Sequence, residues 1–141
     1  MSNFTYFIRE RVKLNGIERG TSVEKTIPGV NYADSRVMTI PTGSVTEIIN
    51  LNNLPGAGTF VSSSVKYARI TNLSTGSINL EISGSLSTMH FLVSGSGTFM
   101  FSTEFVDSGS FDPSFSYGDL RSVKGSPTDS TATLSYFICT T

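Results

Sequence analysis

A chain of 141 residues fits one domain of ordinary size, since about 100 to 200 residues is the usual span of a single compact unit. Ten Lys and Arg against eleven Asp and Glu leave a formal net charge of −1, which supplies no general field for nucleic acid or an anionic membrane surface. Charged residues make up only 15% of the chain against about 25% in typical soluble domains, and Ser and Thr carry much of the polar surface, which favours strands and turns over solvated helices.

The opening NFTYFIRERVKLNG has Phe4, Phe7 and Ile8 ahead of the charged set Arg9, Glu10, Arg11 and Lys13, a faint helical pattern. The same letters alternate better as a strand. Tyr6, Ile8, Val12 and Leu14 share one parity, and Asn15-Gly16 is a strong two-residue hairpin signal, with Ile17, Val23 and Ile27 continuing the alternation. Residues 1–33 therefore read as an extended segment or arm that joins the sheet or a neighbouring subunit, and 34–141 as the body. No signal-peptide pattern opens the chain and no apolar run reaches about 18 residues, so synthesis and folding in a cytoplasm, with no membrane partner, are expected.

From Val30 onward strands are punctuated by breakers: RVMTI, PTG, SVTEIINL, NNLPGAG. In TFVSSSVKYARITNL, Val65 and Tyr67 take one face and Ala68 and Ile70 the other, and in INLEIS, Ile78, Leu80 and Ile82 share one face. MHFLVSGSGTFMFST is another strand pair, with Phe99 and Phe101 on one face beyond the Gly95 to Gly97 turn. A long irregular stretch, EFVDSGSFDPSFSYGDLRSVKGSPTDS, precedes TATLSYFICTT, where Ala132, Leu134, Tyr136 and Ile138 alternate. Short strands at this spacing indicate an all-β fold: a single antiparallel β-sandwich, jelly-roll-like, with little or no helix.

Chemistry-bearing residues are sparse. His90 is the only histidine, so no multi-histidine metal site exists and a Ser–His–Asp triad has one possible base, with no nucleophile elbow around it. Cys139 is the only cysteine; it has no internal disulfide partner and sits in an alternating strand. Asp107, Asp112 and Asp119 match no calcium-loop spacing and read as turn caps. SGSGTF lacks the following helix that a phosphate loop needs and reads as a hairpin turn. Lys66, Tyr67 and Arg69 form one short basic-aromatic strip, too little for nucleic acid at this net charge. Without a secretory signal, the glycosylation triplets at Asn3 and Asn72 carry little meaning. Neither a catalytic centre nor a metal nor a cofactor is expected.

Association is the remaining reading. Phe111, Phe115 and Tyr117, set among Ser and Gly, are residues of the kind enriched at interface cores, and Phe4, Tyr6 and Phe7 with Arg9 and Arg11 form a second such set. A terminal aromatic strand of this sort can pair with a neighbouring subunit by adding to its sheet. Six basic residues (Arg9, Arg11, Lys13, Arg19, Lys25, Arg36) lie early, and Glu81, Glu104, Asp107, Asp112 and Asp119 lie late, so opposite ends of two copies can attract.

The run VKYARITNLSTGSINLEISGSLSTMHFLVSGSGTFMF, with SRVMTIPTGSVTEIINLNNLPGAGTFV before it and TATLSYFICTT after it, resembles small β-sandwich structural proteins of tailed bacteriophages. The resemblance covers about Asp34 to the end. It implies a virion component, foremost a capsid decoration or cement protein, with a tail, fibre or knob module binding a host surface as the alternative; apart from the resemblance, a small hydrolase is a more distant reading. Implied partners are the major capsid protein or other virion subunits and further copies of the chain, with a trimer as the expected number; the implied location is the virion, after synthesis in the host cytoplasm. Carried over by position, Arg69, Asn72, Ile78, Leu80 and Gly97 serve the sandwich frame.

Overall fold

The computed structural model describes residues 2–51, 65–84, 87–102 and 120–141, and throughout them the regular structure is β. In chain order the strands are β1 (Ser2–Arg9), β2 (Val12–Leu14), β3 (Ile17–Arg19), β4 (Ser22–Val30), β5 (Tyr32–Ile40), β6 (Thr46–Asn50), β7 (Val65–Asn72), β8 (Ile78–Ser83), β9 (Thr88–Val93), β10 (Thr98–Ser102), β11 (Ser122–Pro127) and β12 (Ala132–Thr140). Two four-stranded antiparallel sheets, ordered β10-β7-β12-β5 and β6-β11-β8-β9, pack as a sandwich.

Strand alternation builds the space between the sheets. One sheet turns Ala68 and Ile70 of β7, Phe101 of β10 and Leu134, Tyr136 and Ile138 of β12 inward; the other contributes Ile78, Leu80 and Ile82 of β8, Val93 of β9 and Val123 of β11. Side chains two residues apart share a face, so one apolar set per strand closes the core. β6 departs from strict alternation. Its register against β11 slips between Val123 and Lys124, and that bulge lets the consecutive Ile48 and Ile49 both be buried.

Polar groups finish the sandwich where strands end. Asn72, 1% exposed at the end of β7, donates from Nδ2 to the carbonyls of Gly76 (2.7 Å), Val93 (3.2 Å) and Ser94 (3.2 Å) and accepts from the Ser74 amide (2.9 Å). One side chain thereby ties the β7–β8 connection to the β9–β10 turn. In that turn Gly95 lies so close to the Thr75 carbonyl that an added Cβ would sit 2.1 Å from its oxygen, which accounts for a glycine there by space. Tyr136 Oη donates to Asp34 Oδ2 at 2.8 Å, linking β12 to β5 near the sheet edge.

The first thirty residues stand apart from the sandwich. Among the described residues β1 pairs only with β4, and β2 only with β3. Phe4 is opposite Ile27, Arg9 opposite Ser22, Val12 opposite Arg19 and Leu14 opposite Ile17, so the register is the same on both sides of the gap at Glu10–Arg11. The Glu10 amide donates to the Thr21 carbonyl (2.9 Å) across that gap, and the four strands form one long hairpin. Its tip is the Asn15-Gly16 pair, with φ of 51° and 80°, the left-handed values that a two-residue turn demands.

Candidate interaction surface

The hairpin docks on the sandwich by its base alone. In an antiparallel pair, opposed residues share a face, which places Phe4, Tyr6 and Ile8 with Ile27, Lys25 and Val23 on one side of the ribbon. Phe4, Tyr6, Ile27 and Val30 settle onto the outer surface of β7 and β12, where Tyr67, Phe137 and Cys139 form a second, smaller core. The Phe4 ring centroid lies 4.8 Å from that of Tyr67 and 5.0 Å from that of Phe137, and Tyr6 lies 4.9 Å from Tyr67, spacings at which aromatic pairs attract beyond their buried area.

Beyond this base the ribbon leaves the body. Every residue from Phe7 to Thr26 is exposed, although most of them are hydrogen-bonded strand. At about 3.3 Å per residue, Phe7 to Leu14 extends about 26 Å. The two faces differ in chemistry. The face that continues from Phe4 and Tyr6 carries Ile8, Val23, Val12, Leu14 and Ile17, all more than a third exposed. The reverse face carries Phe7, Arg9, Glu24, Lys13 and Glu18, and the Arg11–Glu18 ion pair lies on it, as the alternation requires.

Where ribbon and body meet, Phe4, Thr5, Tyr6, Phe7, Tyr67, Arg69 and Phe137 line a groove of about 320 Å³. Arg69 Nε is buried there without a hydrogen-bond partner. Burial raises the Tyr67 phenol above its ordinary range, and burial pushes the Cys139 thiol up to about 11, which leaves almost no thiolate at neutral pH.

His90 projects from β9 on the outer surface of the second sheet. Its cross-strand neighbour is Glu81, which is followed across the sheet by Lys124 and Glu47, a lateral row on an exposed, polar face. A shallow hollow of about 160 Å³ beside it is lined by Val45, Asn79, Lys124 and Ser126 among others. Cys139 lies on the far side of the sandwich, under the hairpin, so the two residues do not meet. Among the described residues no group of three or more His, Cys, Asp or Glu side chains is placed to hold a metal ion.

Of the residues singled out for contact, Phe4 and Tyr6 are half-buried at the hinge of the ribbon, whereas Phe7, 67% exposed, Arg9 and Arg11 are exposed on its reverse face, Arg11 in its ion pair with Glu18. Phe111, Phe115 and Tyr117 fall outside the described residues, as do Asp107, Asp112 and Asp119. Tyr67, read as one element of a basic-aromatic strip, is 5% exposed beneath the hairpin and offers no stacking surface. The importance of Val12, Leu14 and Ile17 was not visible in the alternation, which a buried strand and an uncovered one share. Phe137 and Cys139 did leave a signal: they are apolar on the parity opposite Leu134 and Tyr136, so β12 is covered on both faces. No protein-family model matches the chain, and a search of curated proteins finds no match.

Proposed function

We propose that this chain is a structural subunit of a tailed-bacteriophage particle, a decoration or cement protein that acts by contact on the capsid shell without a catalytic step. The observation that carries the reading is the hairpin: twenty consecutive exposed residues, Phe7 to Thr26, on a chain whose sandwich is already closed. A two-stranded ribbon is marginally stable in water on its own, and an apolar ribbon face held away from its own body suits a neighbouring subunit. The assignment to a phage shell rests on the sequence likeness from Asp34 onward. Binding to the assembled shell and not to its separated subunits would favour the assembled state by mass action.

Copy number tests this reading. Purified particles should carry the protein in hundreds of copies, and particles lacking it should lose their contents at lower temperature; a dozen copies, or none, would remove the shell assignment. The groove lined by Phe7, Arg69 and Phe137 favours a second reading, a tail or fibre module that grips a host surface, because aromatic rings beside a guanidinium suit a glycan. That version requires few copies per particle and loss of adsorption to cells when Phe7 and Arg69 are replaced.

A further inference from the structure

We infer that the hairpin is a dimerisation arm, and that its occupant is the hairpin of a second copy of this chain, laid antiparallel and apolar face to apolar face. The inference rests on reading the chain as an assembly subunit and deepens it by naming the first contact. Two observations converge on a second copy.

The apolar face is continuous with an interface the molecule already makes. Phe4, Tyr6 and Ile27 are covered by the chain's own body, and Ile8, Val23, Val12, Leu14 and Ile17 prolong the same face with nothing over them among the described residues. Charge complementarity selects the orientation. The same alternation places Glu10 and Arg19 on the apolar face, one step apart along the ribbon and on different strands, whereas Arg9, Arg11 and Lys13 are on the reverse face. An antiparallel two-fold centred between them brings each Arg19 diagonally beside the partner's Glu10 and leaves Arg9, Arg11 and Lys13 outside. It also lays Leu14 of each arm over Ile8 of the other, and the tip comes to rest beside the aromatic groove at the base of the partner's arm. A self-complementary stripe of this kind closes as a pair, so a dimer replaces the trimer expected from the sequence.

Sedimentation of the full chain from about 1 to 100 µM should give twice the 15.2 kDa chain mass. Leu14→Asp and Val12→Asp should each give a monomer with an unchanged far-ultraviolet circular dichroism spectrum. Glu10→Arg or Arg19→Glu alone should weaken the dimer about tenfold, and the two combined should restore it, because the swapped pair is again complementary. The Ile8→Cys, Leu14→Cys double variant should form a covalent dimer on mild oxidation, with Cys139 shielded beneath the arm. A wild-type monomer at 100 µM, a dimer indifferent to Leu14→Asp, or a dimer in which the paired cysteines fail to link would each overturn the inference. Particle binding separates it from the function proposed above. A monomer that still decorates shells ends the arm pairing and leaves the decoration reading, while an arm-linked dimer absent from particles does the reverse.

Discussion

At the scale of the residue, two buried polar side chains carry more than their size suggests. Asn72 satisfies carbonyls in two separate connections while itself fully enclosed, and removing it strands those acceptors without water. Asn72→Ala should therefore cost about 2–4 kcal/mol in urea denaturation, at the upper end for a single hydrogen-bonding side chain. Tyr136 gives a pH dependence. Burial, reinforced by its hydrogen bond to Asp34, pushes its phenol up to about 12. The unfolded phenol loses its proton near 10 while the folded one holds it to about 12, so the folded state binds more protons between those values and stability falls as pH rises through them. Cys139 acts in the same direction from 9 to about 11. Stability followed by denaturant titration should decline from about pH 9 to pH 12, and Tyr136→Phe should lessen the part above pH 10 by about 2 kcal/mol.

At the scale of the element, the hairpin behaves as two pieces on one ribbon. Its base is a packed contact, with Ile27 wholly buried against Tyr67 and Cys139, and its outer part is exposed and touches no other strand closely among the described residues. Cys139 is thus a reporter of whether the base is docked. In the wild type a thiol reagent should react only as fast as the base opens; Ile27→Ala removes the side chain that covers the sulfur and should speed the reaction at least about 30-fold, the equivalent of about 2 kcal/mol. An equal rate in both proteins would show that the base does not shield the thiol. The ribbon's outline was legible in the sequence because Asn15-Gly16 and the parity of Tyr6, Ile8, Val12 and Leu14 are local features. Its division into docked and free parts was not, because that depends on where the outer face of β7 and β12 ends.

At the scale of the whole molecule, stability resides in the sandwich and association in the arm. Leu134 is fully buried between the sheets, so Leu134→Ala should cost about 2–5 kcal/mol, while Leu14→Ala, studied where the chain is monomeric, should shift unfolding by less than about 0.5 kcal/mol. Urea melts of the two variants compare these directly, and a large cost at Leu14 would mean that the arm folds back on its own body. The charge split agrees with this separation: the first thirty residues hold five basic and three acidic side chains, the remainder five and eight. An arm of one sign on a body of the other steers encounters between copies, an effect that salt should weaken.

Local letters suffice for the strand-and-turn grammar: which side chains of β8, β10 and β12 share a face, where Asn15-Gly16 and Gly95 to Gly97 turn the chain, and hence the all-β sandwich. These follow from period-two alternation and turn chemistry, which act over a few residues. In β7 the register slip beside Thr140 moves Val65 from the face of Tyr67 into the main core with Ala68 and Ile70. The fold as a whole settles that β12 lies between β5 and β7, that Asn72 is a buried tie, that Tyr67 and Cys139 are roofed by Phe4 and Ile27, and that Val12, Leu14 and Ile17 are exposed. The reason is physical: alternation states that a strand has an apolar face, but whether that face is covered depends on which distant segment the fold brings against it.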